Sequence, residues 1–380
     1  MSGNIKKPFE YGRAWIEIDL NALAENVSVL RSVMPRRCEL MAVVKVDAYG
    51  HGAPQIAARV QREGVGAFAV ATVGEGIQLR ESGIDGEILI MGYTHPKDAG
   101  LLNTFSLSQL VIDGAYARAL GDAGQSINVH IAVDTGMHRL GIEYSNLTEI
   151  ESVYACENLT VAGVGTHLAS SDRLEQKDVE FADLQIGRFN EVVEALKNKG
   201  FDVGKLHVQA SYGMLNYPDI RCNYARAGIA MYGVMSNYED TVLRPALQPV
   251  LSLRALVAQV RWIEAGESIS YGRTFIAEKP LRLATVCIGY GDGIPRQMSG
   301  KGGMCLINGH RVPIIGRVCM DMIMADVSGV NTIAPGDVAT LIGKDRGQEI
   351  RCEDVAAASG TITNDILCRL GVRLPRYYIG

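Results

Sequence analysis

The amino-acid sequence predicts an α/β chain in two parts, a (β/α)8 TIM-type barrel over residues 1–243 and a mostly β domain over residues 244–380. Three observations carry this reading. Short, buried-type strands alternate with amphipathic helices through roughly the first 230 residues, the rhythm of parallel strands joined by helices. The texture changes over residues 243–250, where Pro245 and Pro249 interrupt the chain and closely spaced β-like runs follow. A chain of 380 residues suits one large domain with a smaller companion. Periodicity alone does not close a sheet, so a doubly wound open sheet stands beside the barrel as the alternative.

In order along the chain, residues 14–18 (AWIEI) read as a strand, and Leu20, Leu23, Val27, Leu30 and Met34 then recur at helical spacing behind Asp19, placed as an N-cap. This strand and helix are read as the opening barrel unit. Further strands are expected at 40–46, 67–71, 87–91, 109–112, 129–133, 159–166, 205–209 and 227–234, with a helix over 182–199 that stops at Gly200. In the second part, strands are expected at 251–263, 281–290, 304–307, 311–315, 322–327 and 338–343, and a helix at 353–359. Asn308-Gly309 between two apolar runs signals a two-residue hairpin turn.

Composition narrows the function classes. With 47% hydrophobic and 21% charged residues the chain is globular rather than disordered. Lys plus Arg number 37 against 42 Asp plus Glu, spread without a basic stripe, so nucleic acid is not an expected partner. Uncharged stretches such as 99–112 fall short of the roughly 20 apolar residues of a membrane span. Residues 1–10 lack the apolar region of a secretory signal, which places the expected protein in the cytoplasm. Eight cysteines fall singly, with no CxxC and no histidine at metal spacing; reduced core thiols are expected, with no zinc site or disulfide framework.

The residue that most needs a reason is Lys45, inside the otherwise apolar run MAVVKVDAYGHG (41–52). Burying an ammonium there is costly. Either the strand ends early and the side chain reaches solvent, or the lysine sits at the mouth of the barrel, where desolvation lowers its pKa and makes a nucleophilic amine. The second arrangement suits a Schiff base with a carbonyl compound.

This run resembles the pyridoxal-phosphate lysine signature of alanine racemases, which are fold type III enzymes. VDTGMHRLG (133–141), GVGTHLASSD (163–172), RAGIAMYGV (226–234), SYGRTF (270–275), IGYGDGIPR (288–296), GRVCMDM (316–322) and RLPR (373–376) recur in that family's order. The resemblance covers essentially the whole chain and implies the same barrel and β domain. It implies that Lys45 holds pyridoxal 5'-phosphate and acts as acid/base on one face of the substrate α-carbon, with Tyr271 on the other. Two such groups can serve if both pKa values fall well below their reference values of about 10. His167 and Arg226 would link Tyr271 to the cofactor's ring nitrogen; an arginine there keeps the ring unprotonated and disfavours transamination. Tyr49, Ser211 and the backbone of Gly228 and Ile229 would cup the phosphate. Arg139 would steady the cofactor's phenolic oxygen and the substrate carboxylate, Met320 would contact that carboxylate, and Tyr290 would border the substrate mouth. Because Tyr271 and Met320 come from the second subunit in the family, a homodimer with shared sites is implied, with no metal.

Three positions depart from the family pattern. Ala132 stands where many members carry a carbamylated lysine that props the residue equivalent to Arg139. Ala227 replaces a proline, and Asn364, in TITNDIL (361–367), replaces an active-site tyrosine. A smaller amide with both a donor and an acceptor suits a substrate bearing a β-hydroxyl. In this Asn the chain resembles the catalytic domains of membrane-bound serine racemases from vancomycin-resistance clusters. The expected activity is interconversion of L- and D-serine and of L- and D-alanine, supplying peptidoglycan precursors. The expected setting is the cytoplasm, or the cytoplasmic catalytic portion of a longer membrane-bound protein. The alternatives are an alanine racemase with little serine activity, a barrel-type decarboxylase, and a non-catalytic pyridoxal-phosphate-binding protein.

Overall fold

The computed structural model describes residues 12–236 and 241–380; the reading of residues 1–10 lies outside them. Strand β1 (Ala14–Asp19) leads into a helix over Leu20–Val33, whose first free amides, on Asn21 and Ala22, donate to the Asp19 carboxylate at 2.9 Å. The barrel comes next. Its strands are β2 (Glu39–Val43), β3 (Ala67–Val70), β4 (Glu87–Ile90), β5 (Ser108–Val111), β6 (Ile127–Asp134) and, after the two-residue β7 (Ile142–Glu143), β8 (Leu159–Gly165), β9 (Lys205–Ala210) and β10 (Tyr224–Ala227). β10 pairs with β2, placing Arg226 beside Met41, and β5 pairs with β6, so eight parallel strands close on themselves. The open doubly wound sheet is thereby excluded.

Three expected strands depart from the sequence reading by more than two residues, and one of them, 281–290, already ends at Val286. β2 stops at Val43, because Val46, Asp47, Ala48 and Tyr49 all adopt φ between 51° and 54° and turn the chain out of the sheet. The run 227–234 is not a strand: β10 ends at Ala227 and a 3-10 turn covers Ile229–Tyr232.

The barrel interior is partly polar. His130 on β6, His207 on β9 and Arg226 on β10 are all buried inside it. β8 makes room for the two imidazoles by carrying no side chain at two positions on one face. A Cβ on Gly163 would lie 2.4 Å from His130 Nδ1, and one on Gly165 would lie 2.1 Å from His207 Cε1. Overpacking of this kind costs about 1–3 kcal/mol. Gly165→Ala is therefore expected to lower the thermal midpoint by several degrees, while Gly187→Ala, on an open helix face, leaves it in place. Equal midpoints in calorimetry would remove the packing argument.

The second part is built on β11 (Leu251–Ile263), β12 (Ser268–Ile269), β13 (Phe275–Ile276), β14 (Leu281–Val286), β15 (Met304–Ile307), β16 (His310–Ile315), β17 (Ile323–Asp326), β18 (Val338–Asp345), β19 (Gln348–Ile350) and β20 (Arg376–Ile379). β12 and β13 pair only with each other; the other eight form one sheet with β1. β1 is thus not the first barrel strand. It lies between β11 and β20, with Ile16 opposite Leu253 and Arg376, and ties the start of the described chain to its far end. Asn308 and Gly309, with φ of 53° and 79°, make the two-residue turn between β15 and β16. Helices Cys352–Ser359 and Thr363–Arg369 then return the chain to the barrel mouth.

All eight cysteines are free thiols, although Cys38 and Cys222, far apart in sequence, come within 3.4 Å of each other. Among the described residues, no helix is long and apolar enough to cross a membrane. Among them, too, no group of three His, Cys, Asp or Glu side chains could hold a metal ion.

Candidate active site

Parallel barrels place functional groups where strands end. Lys45 lies just after β2, Arg139 after β6, His167 after β8, Ser211 after β9, and Gly228 and Ile229 after β10. Together with Tyr49, Arg226 and Asn364 they line one cavity of about 450 Å³. Burial and the nearby Arg139 cation push the Lys45 amine below its usual pKa, as a nucleophilic amine requires.

The backbone holding Lys45 is a left-handed turn, a conformation that costs non-glycine residues roughly 1–2 kcal/mol each. It persists because several contacts outside it agree on that geometry. The Val46 N–H donates to Glu75 Oε1 at 2.6 Å, and Glu75 Oε2 accepts from Ala71 at 2.7 Å. His51 Nδ1 lies 3.0 Å from the Ala48 carbonyl and 2.9 Å from that of Tyr49, so its proton is on that nitrogen and is shared between them. From β20, Arg376 Nε donates to the Gly50 carbonyl at 2.8 Å and the Tyr378 hydroxyl to that of His51 at 3.1 Å. Sequence reasoning passed over Glu75, His51, Arg376 and Tyr378. The quoted motifs AYGHG and RLPR contained two of them without showing that they meet.

Opposite Lys45, Ser211 Oγ accepts the N–H of Gly228 at 3.0 Å and of Ala230 at 3.2 Å. Glycine at 228 leaves room for the Tyr49 ring, since a Cβ there would lie 2.9 Å from its hydroxyl. The result is a cradle of two hydroxyls and the free first amide of a 3-10 turn at Ile229, a donor set that suits a phosphate. Burial drives the Tyr49 phenol up, so it stays a neutral donor.

Arg226 is 5% exposed. Its Nη1 meets His207 Nδ1 at 2.5 Å and the His207 carbonyl at 3.0 Å; its Nη2 donates to the Thr166 carbonyl at 2.8 Å, His167 Nδ1 at 3.1 Å and the Val208 carbonyl at 3.0 Å. The Nε–H is the guanidinium donor these contacts leave over, and the residue lines the cavity. Burial lowers the guanidinium to about 10, still a cation at neutral pH, and burial with the Arg226 charge pushes His167 down to about 3, a neutral ring. A heteroaromatic nitrogen facing that Nε would meet a donor that keeps its proton.

Among the described residues, no side chain stands in for a prop beside Arg139. Ala132 leaves a small void of about 80 Å³ lined also by Arg139, Met91, Leu110 and His207. Asn364 does reach the main cavity, and its Oδ1 accepts from Ser236 Oγ at 2.7 Å, so the amide NH2 is left to donate.

Tyr271, Met320 and Tyr290 are elsewhere. Tyr271 is 70% exposed and Met320 53% exposed, and both line an open hollow of about 700 Å³ on the β domain. Tyr290 adjoins them through its N–H, bonded to the Cys319 carbonyl at 2.9 Å, and is not part of the lysine cavity. Within one chain, therefore, these three do not meet the other site residues.

Comparison with known proteins shows the same division. Residues 18–236 match the family "Alanine racemase, N-terminal domain" and residues 250–378 match "Alanine racemase, C-terminal domain". The chain is 42% identical over 95% of its length to an Enterococcus faecalis protein called an amino-acid racemase, and 38% identical over 95% to a serine/alanine racemase of Enterococcus gallinarum. It spans about half, 51%, of the length of each of these relatives. Among solved structures it is similar to the alanine racemase of Bacillus anthracis with bound L-Ala-P. The TM-score is 0.90 at 34% identity, covering 97% of this chain and 96% of that one.

Proposed function

The chain belongs to the alanine racemase family, and from that premise we propose that it is a pyridoxal-phosphate-dependent racemase that acts on both serine and alanine. The observation that supports this most is the single cavity in which a depressed lysine amine, a phosphate cradle and a guanidinium donor converge. The residues fit the cofactor: Lys45 would hold it, Tyr49, Ser211, Gly228 and Ile229 its phosphate, and Arg226 its ring nitrogen. When bound, the cofactor acidifies the α-hydrogen of an attached amino acid.

The protein's own groups then decide the fate of that hydrogen. Arg226 stays a cation and keeps its proton, which confines the reaction to exchange of the α-hydrogen. Arg139 anchors the substrate carboxylate and fixes which faces of the α-carbon are presented. Lys45 Nζ moves the proton on one face. On the other face the phenolic oxygen of Tyr271 does so, supplied with Met320 and Tyr290 by a second copy, since a single chain keeps them away from the cavity. The working unit in this reading is a homodimer in the cytoplasm, supplying D-serine or D-alanine for peptidoglycan precursors.

Asn364 supports the inclusion of serine. Its free amide donor lies in the cavity, and the relative called a serine/alanine racemase supports the same substrate pair. The decisive experiment measures D-amino-acid formation from L-serine and L-alanine side by side. Both are expected to turn over, and Asn364→Tyr is expected to lower the serine-to-alanine ratio of kcat/KM by roughly ten- to a hundredfold. Inert serine with active alanine would reduce the reading to an alanine racemase.

A further inference from the structure

Arg226 carries a buried charge without a carboxylate beside it. Its partners are carbonyls and two imidazoles, and buried charges are ordinarily compensated by an opposite one. The compensating group is found by tracing the hydrogen bonds inward. Nη1 can only donate, so His207 Nδ1, at 2.5 Å, accepts. Burial and the neighbouring Arg226 keep His207 neutral, and its proton is therefore on Nε2. That nitrogen lies 3.0 Å from His130 Nδ1, which must in turn accept and leave the His130 proton on Nε2. His130 Nε2 and Glu87 Oε1 lie 3.3 Å apart without an aligned hydrogen bond between them, and neither buried atom has a hydrogen-bond partner among the described residues.

The two hydrogen bonds run the same way, and the proton they leave on His130 Nε2 faces a carboxylate oxygen that itself lacks a donor. Glu87 opens β4 at the end of the barrel opposite the cavity. Burial works to raise its carboxyl, but the His130 contact, the Ser108 hydroxyl and the Arg80 charge together hold it below the usual range, so it is an anion. We propose that Glu87 is the counter-charge of Arg226, relayed through His130 and His207, and that it is a positioning residue for the reaction. Its anion selects one tautomer for both rings. Were His207 to carry its proton on Nδ1, two donors would oppose each other at 2.5 Å and the guanidinium would be forced from its place. Gly163 and Gly165, which provide the space for the two rings, serve this relay.

The effect on catalysis rests on the racemase reading; the arrangement of protons does not, and the test separates them. Neutron diffraction from the holoenzyme is expected to show deuterons on Nε2 of His130 and of His207, none on either Nδ1 and none on Glu87. A deuteron on either Nδ1, or on Glu87, overturns the relay whatever the substrate proves to be. Glu87→Gln, which keeps the shape and removes the charge, is expected to lower kcat roughly tenfold with KM within about twofold, and Glu87→Asp to recover part of that loss. A Glu87→Gln holoenzyme with unchanged kcat overturns the positioning role. If that variant does not fold, the deuteron positions decide alone; if the parent protein racemises neither amino acid, the proposed function fails while the relay is still judged by them.

Discussion

Replacing Lys45 by alanine is expected to cut racemisation by at least about a thousandfold and to abolish the visible absorbance of the lysine-bound cofactor. In the proposed reading two contributions are removed at once: the covalent hold on the cofactor and an acid/base that by itself contributes about 10²–10⁴. The fold should survive, because the left-handed turn is held by backbone groups and by Glu75, His51 and Arg376 rather than by the amine. Absorption spectra and rates of the purified variant decide the matter. A Lys45→Ala protein that kept the same absorbance band and a tenth of its activity would exclude the lysine from both roles.

The second large effect concerns Tyr271. Tyr271→Phe removes one hydroxyl from an exposed ring, so stability should be unchanged while the rate falls by roughly 10²–10⁴. The more searching measurement mixes chains. In a homodimer with shared sites, a Lys45→Ala subunit paired with a Tyr271→Phe subunit has one site with both defects and one site with neither. Random reassortment of equal amounts should therefore restore about a quarter of the parent activity from two nearly inactive proteins. A mixture no more active than its components would show that Tyr271 does not serve a neighbour's lysine. The 700 Å³ hollow that it lines would then need another explanation.

What could be read from the sequence divides along physical lines. The barrel was legible because parallel strands buried on both faces leave apolar runs at regular spacing. The sheet to which a strand belongs leaves no such trace, which is why β1 looked like the first barrel strand although it pairs with β11 and β20. Val-Asp-Ala-Tyr carries no local preference for positive φ, and long-range bonds impose the turn at Lys45 against propensity. The residues proposed to face the cofactor were accessible through motif resemblance, since a lone serine or glycine is uninformative. His130 and His207 sit inside apolar strand runs, and nothing in those runs sets them apart. The signal that could have exposed them was the spacing of Gly163 and Gly165, two empty positions on one face of a strand. Asn364 stood out only against a pattern that has tyrosine there.

The bond from Arg376 to the Gly50 carbonyl spans 326 residues. The turn that carries the lysine is therefore held in part from the β domain, through the same strand that pairs with β1.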